Sequence, residues 1–87
     1  MTVVTISDKH IEIKGHSNYA SLGNDIVCAS ISTAVFFLID SSNSEYINKD
    51  GYIKIERKGI NKKTLETFIS YVKQLSKQYN EYVEVRS

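Results

Sequence analysis

Apolar and polar residues alternate along several short segments of the chain. The alternation is clearest in His10–Lys14 and Tyr52–Glu56 and recurs in residues 82–86; a period of two is typical of half-buried β-strands. The β-branched segment Thr2–Ile6 also predicts a strand. An Asp-Gly pair at residues 50–51, between two alternating segments, is a strong hairpin signal. The pattern therefore predicts five strands, four of them in two hairpins.

Two longer segments have helical patterns. In residues 62–79 apolar side chains recur at helical spacing and form one core-facing stripe. Its members are Leu65, Phe68, Ile69, Val72, Leu75 and Tyr79. Residues 26–39 are apolar on nearly every side, and Asn24 or Asp25 is expected to cap this first helix. A helix without a charged face is normally buried on more than one side. The first helix should therefore pack on the sheet and also on the second helix or a second subunit.

The predicted order of elements is ββαββαβ, and the strand patterns sort the sheet into two faces. The apolar face should carry Ile11, Ile13, Ile53, Ile55, Val83 and Val85. The polar face should carry His10, Glu12, Lys14, Lys54, Glu56, Glu84 and Arg86. One apolar sheet face and two helices predict an α+β two-layer sandwich, with both helices on one face of a mostly antiparallel sheet. At 87 residues, we expect a single domain over residues 1–87.

Composition narrows the class of protein. With 41% apolar and 24% charged residues, the chain has the composition of a globular domain rather than of a disordered tail. One cysteine excludes an internal disulfide framework, and a net charge of +1 argues against bulk electrostatic binding to nucleic acid. The N-terminal residues lack a signal-peptide pattern, and the longest apolar run, 34–39, is too short to span a bilayer. We therefore expect a cytosolic protein.

The candidate chemistry lies between the second strand and the first helix. Cys28 follows the possible capping residue Asp25 by three positions, so it falls in the first helical turn, where the helix dipole favours a thiolate. His16, at the end of the second strand, could fold back onto Cys28 and form a thiolate–imidazolium pair. Ser32 lies one turn after Cys28 on the same helical face and could contact the thiol.

Plainer interpretations of the same residues stay open. A lone cysteine on an apolar helix is usually a small buried hydrophobe. His16 by itself is more often a surface loop residue, and Asp25 needs no role beyond capping. His10 and one distant cysteine do not make a zinc site.

One run of residues nevertheless resembles the signature of a known family, the ribosomal-processing cysteine proteases named Prp. The resemblance rests on paired Gly-His and Asp-Ile-Val-Cys-Ala blocks at this spacing, and the length and predicted element order agree with the family. The matching positions are Gly15, His16, Tyr19, Ala20, Gly23, residues 25–29 and Ser32.

The resemblance implies a cytoplasmic bacterial endopeptidase. Members remove a short N-terminal extension from large-subunit ribosomal protein twenty-seven, with Cys28 matching the nucleophile and His16 its base. Gly15, Gly23, Asp25 and Ser32 match accessory positions that support the site or bind substrate. The resemblance further implies a homodimer and requires no metal, no organic cofactor, no membrane and no direct contact with nucleic acid.

Two other functions compete with the protease. One is a non-catalytic binding module on the ribosome or on RNA, which would use the polar sheet face or the basic cluster of Arg57, Lys58, Lys62 and Lys63. The other is a thiol redox sensor, because a thiolate at a helix start is also oxidisable. A sensor would need a partner thiol from outside the chain, since Cys28 is the only cysteine.

Overall fold

The structure, a computed structural model, describes residues 1–15 and 26–87. The described elements follow the predicted ββαββαβ order. They are β1 (Thr2–Ile6), β2 (His10–Lys14), α1 (Ile26–Asp40), β3 (Tyr46–Lys49), β4 (Tyr52–Glu56), a 3₁₀ turn (Arg57–Gly59), α2 (Lys62–Gln78) and β5 (Val83–Arg86). The predicted caps Asn24 and Asp25 lie outside the described residues.

The five strands form one sheet in the order β3-β4-β2-β1-β5. β1 pairs with β5 in parallel, and the other three pairings are antiparallel. The registers place Ile11 opposite Ile55 and Ile13 opposite Ile53. The strand periodicity had predicted that these side chains share a face, and the α+β sandwich with a mostly antiparallel sheet is confirmed.

Both helices pack on the apolar face of the sheet. The stripe predicted for α2 is confirmed, because Leu65, Phe68, Val72 and Leu75 are buried there. From α1, the residues buried in the core are Val27, Ile31, Val35, Leu38 and Ile39. The chain alone does not bury α1 on every side. Its Phe37 is 72% exposed, since the groove between α1 and α2 is not filled by described residues.

A tight contact joins the segment that follows α1 to the 3₁₀ turn that precedes α2. The Asn43 N–H, just after α1, donates to the Gly59 carbonyl at 3.4 Å. A Cβ on Gly59 would lie 2.8 Å from the carbonyl carbon of Asn43, so a larger residue does not fit. Next to this contact, Oδ1 of Asn61 accepts from Lys63 N–H at 2.8 Å and caps α2. The C-terminal end of α1 is thereby fixed beside the start of α2.

The polar face of the sheet, called the open face below because neither described helix packs on it, carries two hydrogen-bonded side chains with shifted pKa values. Tyr52 Oη donates to Glu12 Oε2 at 2.7 Å, which lowers the pKa of Glu12 below its ordinary 4.5. The same bond raises the pKa of Tyr52 above its ordinary 10.0. The lowered pKa adds stability above pH 4.5, which is lost as pH falls through the lowered value. The raised pKa adds stability below pH 10, which is lost as pH rises through the raised value.

We predict that Tyr52→Phe moves the pKa of Glu12 up toward 4.5, because the variant removes the hydrogen bond that stabilises the carboxylate. An NMR titration of the Glu12 side-chain carboxyl measures this. Tyr46→Phe, on the opposite face of the sheet, is the control and should leave the titration unchanged. Equal Glu12 pKa values in wild type and Tyr52→Phe would contradict the assignment.

A second prediction concerns the core. Ile55→Ala should lower the free energy of unfolding by about 2–5 kcal/mol, because the Ile55 side chain is fully buried and its loss leaves a cavity. Ile47→Ala in the same hairpin removes a side chain that is 48% exposed and should cost less than about 1 kcal/mol. Urea unfolding of both variants measures the difference, and similar losses would show that the core is assigned wrongly.

Candidate active site

The candidate nucleophile lies on the side of α1 that faces the β3–β4 hairpin. Val27, Ile31 and Val35 point into the core. The residues that follow each of them, Cys28, Ser32 and Phe36, therefore form a neighbouring stripe on the flank of the helix. Cys28 is the third residue of α1 and is partly exposed. The positive end of the α1 dipole therefore acts on a thiol that a reagent can reach.

The stripe forms one wall of a groove of about 410 Å³. The opposite wall is the β3–β4 turn, residues 48–52, and the floor is apolar. The floor residues are Ile13, Ile31, Val35 and Ile53. A groove of this size, with a thiol on one wall and an apolar floor, can hold part of an extended peptide.

Gly15 closes one end of the groove, and its backbone explains why a glycine is needed there. Its φ is +87°, and a Cβ would lie 2.5 Å from the Met1 carbonyl oxygen. The Gly15 N–H donates to the Gly51 carbonyl at 2.8 Å, so it joins the end of β2 to the β3–β4 turn. Any side chain at position 15 would strain the backbone and push the N-terminus away.

The structure brings together three of the six residues that the sequence proposed for the site. Gly15, Cys28 and Ser32 all line the same groove. His16, Gly23 and Asp25 lie outside the described residues, as does the rest of the predicted loop. Sequence reasoning missed Phe36 on the same wall as Cys28, and it missed the opposite wall, including Asn48. The Asp-Gly turn was recognised, but nothing local in the sequence indicates that it lies against the first helix.

The other features raised by the sequence lie apart from this groove. Arg57 is at the opposite end of β2 and β4, where its N–H donates to the Lys9 carbonyl at 2.9 Å. Lys9, Arg57, Lys58 and Lys62 line a second groove there, together with Asp8 and Glu56. His10 lies on the open face with Nε2 3.1 Å from Glu56 Oε1. The basic cluster and His10 therefore take no part in the Cys28 groove.

The described residues offer neither a metal site nor a membrane-spanning helix. Within residues 1–15 and 26–87, no three His, Cys, Asp or Glu side chains are grouped so that they could hold a metal ion. In the same part of the chain, neither helix is long and apolar enough to cross a bilayer.

Comparison with known proteins decides the family. Residues 1–84 match the family of the cysteine protease Prp. The chain belongs to this family. It is therefore a cysteine protease, and the groove at Cys28 is the candidate active site of a Prp family member. None of the curated protein sequences matches the chain significantly.

Solved structures of Prp share this fold. The essential ribosomal processing protease Prp from S. aureus, with a covalently linked product peptide, superposes with a TM-score of 0.81 at 20% identity, covering 98% of this chain and 95% of that one. The same protease with a substrate peptide gives 0.74 at 19% identity, with coverage of 98% and 95%. A protein from Streptococcus mutans gives 0.70 at 23% identity, with coverage of 98% and 90%. At these identities the likeness is one of fold.

We predict that filling the groove protects the Cys28 thiol. Ser32→Phe places a ring beside Cys28 and should slow its alkylation by iodoacetamide several-fold in the folded protein. Thr33→Phe, at the next position and on another side of α1, is the matched control and should react at the wild-type rate. Intact mass against time measures both rates. Equal rates for Ser32→Phe and wild type would mean that the thiol is not reached through this groove.

Proposed function

We propose that this Prp family member removes the N-terminal extension of large-subunit ribosomal protein twenty-seven, with Cys28 as nucleophile and His16 as general base and acid. The observation that carries the proposal is the position of Cys28 in the first turn of α1, open to a groove that Gly15 closes. His16 is bonded directly to Gly15, so chain connectivity supports a histidine close to that end of the groove. The whole chain acts as one protease domain.

The reaction follows the chemistry of thiol proteases. Cys28 Sγ attacks the scissile carbonyl carbon while the thiol proton passes to the His16 imidazole. The imidazolium gives that proton to the leaving amine, the C–N bond breaks, and the N-terminal extension remains as a thioester on Cys28. Water then attacks the thioester, loses a proton to His16 and releases the extension as a carboxylic acid, and the proton returns to sulfur.

The α1 helix supports the charges that develop in these steps. Its N-terminal end carries a partial positive charge, which stabilises the negative charge that develops on the carbonyl oxygen beside Cys28. Ser32 lies one turn further along the same wall, within the reach that i,i+4 side chains have on a helix. Gly23 and Asp25 join Gly15 and Ser32 as supporting positions, on the strength of their match to the family motif.

The substrate assignment rests on the family and on the relatives. The S. aureus structure is described as a ribosomal processing protease bound to a substrate peptide, and the motif of this chain resembles that family at the nucleophile and base. The apolar floor of the groove favours a segment of the extension with apolar side chains. We place the reaction in the cytoplasm, where ribosomal proteins are made.

We propose that the protein forms a homodimer through the groove between α1 and α2. This groove is about 500 Å³ in volume and has a largely apolar lining. Phe37 is 72% exposed and Tyr71 is 39% exposed beside it. Two copies of such a surface can cover each other, and a self-complementary patch is what a twofold interface needs.

The proposed activity predicts two inactive variants. Purified wild type should cut the precursor of ribosomal protein twenty-seven from the same source once, near its N-terminus. Cys28→Ala should abolish cleavage, and His16→Ala should slow it roughly 10²–10⁴-fold because general acid–base catalysis is lost. Lys73→Ala, an exposed residue of α2 outside both grooves, is the control and should cleave like wild type. Intact mass of the precursor measures each rate, and cleavage by Cys28→Ala would overturn the mechanism.

The proposed dimer predicts a change of mass in solution. Phe37→Asp puts a charge into the α1–α2 groove, so the variant should sediment as a monomer while wild type sediments as a dimer. Ile47→Asp is the control: it also replaces an exposed apolar side chain by a charge, but on the open face of the sheet, and this variant should remain a dimer. A dimeric Phe37→Asp with wild-type affinity would place the interface elsewhere.

A further inference from the structure

Within residues 1–15 and 26–87, no further strand pairs with the outer side of the edge strand β3. It lies at the end of the described sheet, next to β4 alone, and all four of its residues are exposed. It contains no proline, and Lys49 is its only charged residue. Proteins usually protect such an edge with charges, prolines or a covering element. In β3 the one such device besides its shortness is Lys49 at its end, so the backbone of the residues before Lys49 stays accessible for pairing with another chain.

The hydrogen-bonding pattern between β3 and β4 shows which backbone groups of β3 face outward. Glu56 N–H donates to the Glu45 carbonyl at 2.9 Å, and the register pairs Ile47 with Lys54 and Lys49 with Tyr52. In an antiparallel ladder the residues that bond to the partner strand alternate with residues that point away from it. Glu45, Ile47 and Lys49 therefore bond toward β4, and the N–H and C=O groups of Tyr46 and Asn48 point outward.

This outward edge is continuous with the groove that holds the nucleophile. Asn48 lies opposite Ile53, so its side chain is on the helix-covered face of the sheet, and both residues line the groove together with Cys28. The other edge of the sheet, β5, pairs with β1 and contributes no residue to this groove. Among the described strands, only β3 combines outward backbone groups with a place beside Cys28.

We propose that the polypeptide substrate binds as an extended strand added to β3, held by the N–H and C=O groups of Tyr46 and Asn48. This inference rests on the proposed function, and it makes Asn48 a substrate-binding residue through its main chain. Every second side chain of the added strand points to the helix-covered face, toward the groove. Main-chain pairing requires an extended segment, so a folded or proline-containing segment at this position is rejected.

The test separates the main chain of Asn48 from its side chain. Fluorescently labelled precursor of ribosomal protein twenty-seven is titrated into the Cys28→Ala protein, which holds the substrate uncut. A second substitution in this protein, Asn48→Pro, removes the outward N–H and leaves the hydrogen bonds to β4 in place. An edge strand tolerates proline at a position whose N–H faces outward. Asn48→Pro should weaken binding by about three- to tenfold, as expected for the loss of one hydrogen bond. Asn48→Ala removes the same side chain but keeps the N–H, so it is the matched reference, and it should bind more tightly than Asn48→Pro by that factor. Equal affinities for the Asn48→Pro and Asn48→Ala proteins would overturn the proposal.

A second measurement covers the case in which Asn48→Pro does not fold. Amide hydrogen exchange of the Cys28→Ala protein should show Tyr46 and Asn48 exchanging fast when free and slowly with saturating precursor. Unchanged exchange at both amides in the saturated complex would overturn strand addition even though binding occurs. Failure of the proposed function is seen separately, as wild type that leaves the precursor uncut in the mass assay.

Discussion

The rotation of α1 about its own axis is the constraint on which the site depends. Burial of Val27, Ile31 and Val35 on the sheet fixes that rotation, because each is worth roughly 1.5–3 kcal/mol when removed from water. With that stripe facing down, Cys28 and its neighbours one and two turns later must face the β3–β4 hairpin. The position of the proposed nucleophile is therefore set by core packing, and the thiol needs no separate structural device to reach the groove.

Different contacts hold the structure around the two ends of α1. At the far end, the contact between Asn43 and Gly59 fixes the helix beside the start of α2. Near its N-terminal end, Gly15 joins β2 to the β3–β4 turn and lines the groove together with Cys28. These two contacts hold the described frame of the groove, and Cys28 lies on its wall in the first turn of α1.

Local pattern predicted the elements well and their long-range contacts poorly. The bounds of β1 and β2, the buried stripe of α2 and the sorting of Ile53 and Ile55 onto the core face follow from periodicities of 2 and 3.6. The parallel pairing of β1 with β5 joins the two ends of the chain, and no local signal carries it. The same holds for Asn48, whose place beside Cys28 depends on how α1 lies on the sheet. The apolar first helix was expected to pack on the sheet and also on the second helix or a second subunit, and within one chain its Phe37 lies at the surface.

The central claim is that Cys28 is the nucleophile, and a trapped intermediate tests it most directly. Wild type is mixed with the precursor, quenched in acid within the first turnover, and analysed by intact mass and fragmentation. The account predicts a protease heavier by the acyl form of the released extension, with the added mass on Cys28. Cleavage that proceeds without any such adduct, or an adduct on another residue, would contradict it.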